Sequence, residues 1–140
     1  MEIQINKSNN NEYIEIAVVG AHLKGMPLNY QLTQLDASFL YKTKTAKKYK
    51  LYKLKDEEVL KPGLLKTIIG YAIELEVWRM PIKNLGYFEK FVLSPLVIGN
   101  IEIEDGNEVK GFLCEHFATI EAEDISMYGG WKAYLKSINK

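Results

Sequence analysis

Short stretches in which apolar and polar residues alternate constrain the fold of this chain more than any other feature. In the clearest of them, residues 72–80, isoleucine, leucine and valine side chains share one face, and two glutamates and a tryptophan share the other. A period of two is typical of a β-strand with at least one buried face. The same reasoning predicts strands at residues 13–18, 38–45, 49–54, 64–69, 72–80, 100–104 and 108–115.

The helical signals are short and lie between or after these strands. Asn29 can cap a short helix that ends near Asp36, and apolar residues at 85, 88 and 92 indicate a second one. Apolar residues at 131, 134, 135 and 138 predict a terminal amphipathic helix. Residues 105–107 are typical of a hairpin turn, and we interpret residues 46–48 as another turn. We therefore expect an α+β fold whose mostly antiparallel sheet forms a closed or partly closed small β-barrel with short flanking helices.

Length and composition favour a single domain at 1–140, with a flexible polar leader at 1–11 and the folded part at 12–138. The 18 basic and 18 acidic side chains cancel, so no overall field attracts nucleic acid or a membrane. The amino terminus lacks the apolar core of a signal peptide, which makes a cytoplasmic protein the expectation. The single cysteine excludes an internal disulfide framework, and no cofactor-binding motif is present. We expect no cofactor.

The segment VVGAHLKGMPLN at residues 18–29 follows the first predicted strand and carries one of the chain's two histidines. Its two glycines let backbone N–H groups come close to a ligand, and Pro27 stiffens the exit of the loop. His22 is the leading catalytic candidate, because an imidazole can donate or accept a proton near neutral pH. The alternative is a structural histidine fixed to a backbone carbonyl.

The predicted strand at 72–80 supplies the second candidate, since Glu74, Glu76 and Trp78 share a face. Carboxylates beside an aromatic ring in a partly dry pocket suit acid–base chemistry. The alternative is a solvated face on which both glutamates are ordinary outward charges.

Two further groups favour structural interpretations. A set of lysines interleaves with tyrosines. This pattern also occurs in proteins that bind single-stranded nucleic acid, but lysine at every second position is typical of the solvent side of a hairpin. We expect a solvated face and no nucleic-acid partner. The lysines are residues 42, 44, 47, 48, 50, 53 and 55.

Cys114 and His116 lie at the end of a strand without the further ligands that a metal site needs, so we interpret Cys114 as a buried apolar residue.

Further motifs follow the loop at 18–29 in a fixed order. They are YKLY at 49–52, KPGL at 61–64, AIELEVW at 72–78, IG at 98–99, VKGFLCE at 109–115, DI at 124–125 and GGWKAYL at 129–135. In this order, and over residues 13 to 136, they closely resemble the carboxy-terminal domain of allophanate hydrolase. The resemblance implies the fold of the γ-glutamylcyclotransferase-like superfamily, which consists of small barrels with a ligand pocket at one mouth.

The resemblance also implies a reaction, the decarboxylation of the N-carboxycarbamate that an amidase domain makes from allophanate. We expect no amidase domain in this chain, so it would work with a separate amidase or on another small anionic metabolite. Loss of carbon dioxide leaves negative charge on nitrogen, so His22 would act as the general acid. The predicted substrate-binding residues are Gly20, Ala21, Leu23, Lys24, Gly25, Met26, Pro27, Leu28, Asn29, Tyr52, Glu74, Glu76 and Trp78.

Two other functions stay open at this stage. A cyclotransferase that forms 5-oxoproline needs a carboxylate base, and Glu89 lies near the expected position, although an exposed helix glutamate is the simpler interpretation. The second open function is that of a barrel that binds a small molecule without turnover.

Overall fold

The structure is a computed structural model that describes residues 12–55 and 57–139; the predicted leader at 1–11 lies outside the described residues. The strands are β1 (Tyr13–Val18), β2 (Ser38–Lys44), β3 (Tyr49–Lys53), β4 (Pro62–Lys66), β5 (Glu74–Pro81), β6 (Leu96–Glu102), β7 (Glu108–Cys114) and β8 (Glu123–Asp124). The α-helices are α1 (Tyr30–Thr33), α2 (Leu85–Glu89) and α3 (Trp131–Ile138).

The described strands form two sheets. The larger has five strands in the order β2-β5-β1-β7-β6, and the smaller has three in the order β4-β3-β8. β1 pairs antiparallel with β5 on one side and parallel with β7 on the other, while the remaining pairs are antiparallel. The predicted α+β fold with a mostly antiparallel sheet is therefore confirmed.

The larger sheet curls until its two edge strands touch at one end. Thr45, just after β2, forms an isolated bridge with Ile103, just after β6. The Ala46 N–H donates to the Glu102 carbonyl at 2.9 Å, and the Glu104 N–H donates to the Lys44 carbonyl at 3.0 Å. Of the predicted closed or partly closed β-barrel, the structure shows no full closure: within the described residues no ladder joins β2 to β6, and a second, smaller sheet lies beside the larger one.

The link between β2 and β3 is not the hairpin turn that the sequence indicated. β2 pairs with β5, whereas β3 pairs with β4 and β8, so residues 45–48 cross from one sheet to the other. Thr45 anchors this crossing, because it is fully buried and its hydroxyl accepts a hydrogen bond from the Ile73 N–H at 2.9 Å. The lysines of β2 and β3 therefore do not share one face. Several lysines of these strands and of the link lie beside carboxylates, as in the pairs Lys42–Glu74, Lys48–Glu102 and Lys50–Asp124.

Other boundaries moved by a few residues. The 105–107 turn and the terminal helix are confirmed, but β6 begins four residues before its predicted start at residue 100, and β4 begins at Pro62 instead of residue 64. β8 is two residues long, too short to leave a periodic signal, and it was missed. Three single-turn 3-10 helices were also missed: Ile82–Asn84, His116–Thr119 and Ser126–Tyr128.

One hydrophobic core joins the two sheets and the helices. β1 lies in the middle of the larger sheet, and its last three residues are fully buried. The fully buried large side chains are Ile16, Leu32, Tyr49, Leu51, Leu64, Ile73, Leu75, Met80, Phe88, Ile101, Ile125 and Trp131. Within the part of the chain that the structure describes, no helix is both long and apolar enough to cross a membrane.

Candidate functional site

The glycine loop, residues 20–29, is a series of tight turns that leads from β1 to α1. The Leu23 N–H donates to the Gly20 carbonyl at 3.0 Å, and the Leu28 N–H donates to the Ala21 carbonyl at 2.8 Å. Gly25 has φ of 85°, a left-handed conformation that glycine adopts without steric cost. The loop is therefore held by its own backbone, and its position is fixed where β1 ends.

Gly20 lets the loop lie directly against the start of β4. A Cβ atom added to Gly20 would lie 2.2 Å from Cδ of Pro62, so only glycine permits this approach. The contact brings the residues around Pro62 to the side of the glycine loop, although more than forty positions separate them in the sequence.

His22 lies inside the protein with 6% of its surface exposed. Its ring stacks on Phe112, with 4.7 Å between centroids and 16° between planes, and meets the edge of Phe88 at 5.8 Å. The Asn29 side chain donates from Nδ2 to the His22 carbonyl at 2.8 Å. Asn29 does occupy the predicted cap position of α1, but its side chain holds the loop and makes no capping hydrogen bond.

Gln31 is the polar partner of the imidazole. The Nε2–H of His22 donates to Oε1 of Gln31 at 2.7 Å, and Gln31 itself is buried in α1. This hydrogen bond keeps the proton of the neutral ring on Nε2. Nδ1 is then the ring nitrogen that is available to a ligand.

A narrow cleft opens beside His22. Its free volume of about 20 Å³ is space for about one water molecule. Ala21 and His22 both lie on this cleft, and no described residue accepts a hydrogen bond from their backbone N–H groups. Two backbone donors at the cleft are thus left without a protein acceptor in the part of the chain that the structure describes. The lining residues are Val19, Gly20, Ala21, His22, Lys61, Pro62, Leu64, Leu96 and Phe112.

The surroundings of His22 lower its pKa from the ordinary value of 6.5. Burial is the largest cause, because it disfavours the charged imidazolium. The hydrogen bond to Gln31 acts in the opposite direction, and the positive charge of Lys61 lowers the pKa further. The imidazole is therefore neutral at neutral pH unless a bound anion favours its protonation.

Acidification is expected to weaken the fold through this group. As the pH falls below 6.5, the unfolded chain binds a proton on His22 while the folded protein, whose pKa is lower, does not. The free energy of unfolding should therefore fall between about pH 7.5 and about pH 5.5. Urea denaturation across this range measures the effect. In the His22→Gln variant this component should vanish, and an identical pH dependence in the two proteins would contradict the assignment.

Glu76 organises the other side of the glycine loop. Its Oε1 accepts hydrogen bonds from the Lys24 N–H at 2.9 Å and from the Trp78 Nε1–H at 3.1 Å, and its Oε2 lies 3.6 Å from the Lys132 ammonium of α3. Glu76 is 7% exposed, so the alternative of a solvated face is wrong for this residue. The carboxylate ties β5, the loop and α3 together.

The remaining predicted residues do not line the His22 cleft. Leu23, Glu74 and Glu76 border a second small cavity next to α3, and Met26 borders a groove along the same helix. Tyr52 lies in β3, opposite Gly63 of β4 and Asp124 of β8. The exposed residues of the loop are Lys24, Gly25 and Pro27; Leu28 is partly buried and Trp78 is buried.

The structure also shows the positions of the other candidate side chains. Glu89 is exposed in α2, and His116 is exposed in the 3-10 helix after β7. Cys114 is buried, as predicted, and burial raises the pKa of its thiol to about 11, so it stays protonated at neutral pH.

Three of the residues that sequence reasoning missed supply the polar partner of His22, the charge of the cleft and the ring stacked on the imidazole: Gln31, Lys61 and Phe112. Gln31 lies in the helix directly after the loop, where a polar residue at a buried position is the only local signal. Lys61 belongs to the KPGL motif, but nothing local shows that the start of β4 meets the glycine loop. Phe112 reaches His22 through the pairing of β7 with β1.

Comparison with known proteins identifies the family of this chain. Residues 14–136 match the family model of the allophanate hydrolase C-terminal domain. The chain is 46% identical over 127 residues to a urea amidolyase of Lachancea kluyveri, which covers 87% of this chain and 7% of that protein. Allophanate hydrolase of Kluyveromyces lactis superimposes with a TM-score of 0.88 and 44% identity over 91% of this chain and 22% of that one. The chain thus spans only a small part of both relatives.

Two further structures resemble the chain over most of their own length. A uropathogenic E. coli-specific protein superimposes with a TM-score of 0.83 and 26% identity over 91% of this chain and 99% of that one. A gamma-glutamyl cyclotransferase shares the fold alone, with a TM-score of 0.54 and 13% identity over 81% of this chain and 70% of that one. The chain belongs to the family of the allophanate hydrolase C-terminal domain.

Proposed function

We propose that this protein decarboxylates N-carboxycarbamate, the small dianion that an amidase releases from allophanate. The observation that carries the proposal is a buried histidine with one ring nitrogen fixed by Gln31, on a cleft lined by Ala21 and His22, whose backbone N–H groups have no acceptor among the described residues. Membership of the family supports the substrate class. Among the described residues that line the cleft, Lys61 is the one that is charged, and its positive charge fits an anionic ligand.

The chemistry needs one proton at one place. The bond between nitrogen and a carboxylate carbon breaks, that carboxylate leaves as carbon dioxide, and the electron pair stays on nitrogen. His22 is neutral in the free protein, but the negative charge of a bound dianion favours the imidazolium. The imidazolium donates its Nδ1 proton to nitrogen as the bond breaks, and carbamate is the product. The N–H groups of Ala21 and His22 orient the substrate beside the imidazole.

Release of carbon dioxide in a coupled assay tests the proposal. A separate amidase that hydrolyses allophanate is mixed with ¹³C-labelled substrate, with and without this protein. We expect allophanate to be consumed at the same rate in both mixtures, while labelled carbon dioxide appears faster when the protein is present. Equal rates of carbon dioxide release would contradict the proposal.

The same preparation separates the alternatives. A cyclotransferase would release 5-oxoproline from γ-glutamyl peptides and would lose this activity in the Glu89→Gln variant. A binding module would show no turnover, but its melting temperature would rise when a small dicarboxylate is added. Glu89 is exposed in α2, so Glu89→Gln also serves as a control that should leave decarboxylation unchanged.

A further inference from the structure

Lys61 lines the same cleft as His22, at the point where the chain enters β4. Its neighbour Pro62 packs against Gly20, so the backbone of Lys61 is held beside the glycine loop. The Lys61 carbonyl also accepts a hydrogen bond from the Leu54 N–H at 3.2 Å, which closes the base of the segment between these two residues. The position of Lys61 is therefore set by backbone contacts on both sides.

The charge of Lys61 acts on the cleft. Among the described residues that line it, Lys61 is the one that carries a formal charge at neutral pH, since His22 is neutral there. Its side chain is 17% exposed, so the ammonium is partly removed from water and needs a compensating negative charge.

Glu57 supplies that charge, but loosely. Its Oε2 lies 3.7 Å from the Lys61 ammonium, and its side chain is 18% exposed. A charge-assisted hydrogen bond would be about 2.7–2.9 Å long, so the carboxylate balances the charge without filling the donors of the ammonium. A carboxylate that enters the cleft can make the closer contact.

We propose that Lys61 binds a carboxylate of the anionic substrate and that Glu57 is the resting counter-ion which this carboxylate displaces. The inference rests on the proposed function and names the residue that selects for a substrate with a second negative charge. One carboxylate is held by the loop N–H groups near His22, and the other meets Lys61. The cleft holds about 20 Å³, so a carboxylate enters only if a wall yields, and the flexible Lys61 side chain is the wall that moves in this proposal.

Two variants that break the same ion pair distinguish this role from a structural one. Lys61→Met removes the attraction for an anion, whereas Glu57→Gln removes a repulsion. A merely structural ion pair predicts changes of the same sign in both variants. An anion-binding role predicts changes of opposite sign.

Isothermal titration with malonate, in which CH₂ replaces the NH of N-carboxycarbamate, measures the effect at constant ionic strength. We expect Lys61→Met to weaken binding about tenfold to a hundredfold and Glu57→Gln to tighten it roughly threefold to tenfold. Lys61→Arg keeps the charge and should retain most of the affinity. Lys55→Met is the matched control, because Lys55 lies in the same segment, is exposed and pairs with exposed Glu121. Acetate, with one charge, should discriminate less between the variants.

Imidazole resonances of His22 give a second measurement that needs no ligand. The pKa of His22 should rise in Lys61→Met, because a positive charge has been removed, and fall in Glu57→Gln. Malonate affinities that change with the same sign, or in neither variant, overturn the inference, as does wild-type protein that binds no malonate. Opposite changes in a protein that does not speed carbon dioxide release support the Lys61 site and refute the decarboxylation.

Discussion

Replacing His22 with glutamine is expected to reduce the acceleration of carbon dioxide release by about 10²–10⁴-fold, the usual contribution of a general acid. Glutamine at this position can still donate from its amide to Oε1 of Gln31, so the contact that fixes the side chain is kept. What it lacks is a nitrogen in the place of Nδ1 that can carry and deliver a proton. The rate measured in the amidase-coupled assay should therefore approach that of the amidase alone.

The other histidine provides the matched control for this substitution. His116 is exposed in the 3-10 helix after β7 and lines no part of the His22 cleft, so His116→Gln should keep the wild-type rate. In the wild-type protein kcat/KM should decrease as the pH rises through the pKa of His22, because the acid form is lost. A His22→Gln protein that folds, binds malonate and still accelerates decarboxylation would refute the general-acid role.

The sequence predicted the local elements well where a periodic signal is long enough. β5, the β6–β7 hairpin and α3 carry such signals, because apolar side chains recur along each of them at the period of a strand or of a helix. The link from β2 to β3 was wrong for a physical reason. Its direction is decided by the burial of Thr45 and by hydrogen bonds to residues near 73 and 102, and no local pattern contains these contacts.

The candidate site also has a part that could be predicted from the sequence and a part that could not. The glycine loop could be predicted because its glycines, proline and histidine are consecutive in the sequence. Lys61 and Phe112 could not, because they reach His22 only when β4 meets Gly20 and β7 pairs with β1. Glu76 was predicted as a substrate-binding residue. Its contacts show a structural role, because its carboxylate accepts a hydrogen bond from the Lys24 N–H and so holds the glycine loop.

Replacing Glu76 with leucine is therefore expected to have the largest effect on stability of any single substitution at the site. Two donors, the Lys24 N–H and the indole N–H of Trp78, lose their acceptor, and Trp78 is buried. An unsatisfied buried donor costs about 1–3 kcal/mol, so the free energy of unfolding should fall by about 3 kcal/mol. The lost ion pair with Lys132 adds little, because the lysine is partly exposed. Urea denaturation measures the change.

Two companion variants show whether the hydrogen bonds or the charge matter. Glu76→Gln keeps an oxygen in the place of Oε1 and should lose less than about 1 kcal/mol. Glu74→Leu removes the neighbouring carboxylate on the same face, which is half exposed and pairs with exposed Lys42, and should change stability by less than about 0.5 kcal/mol. In Glu76→Leu alone, hydrogen exchange should also speed up at the amides of residues 21–29. If Glu76→Leu were as stable as Glu74→Leu, or if its loop amides exchanged at the wild-type rate, Glu76 would not be the residue that holds the glycine loop in place for His22.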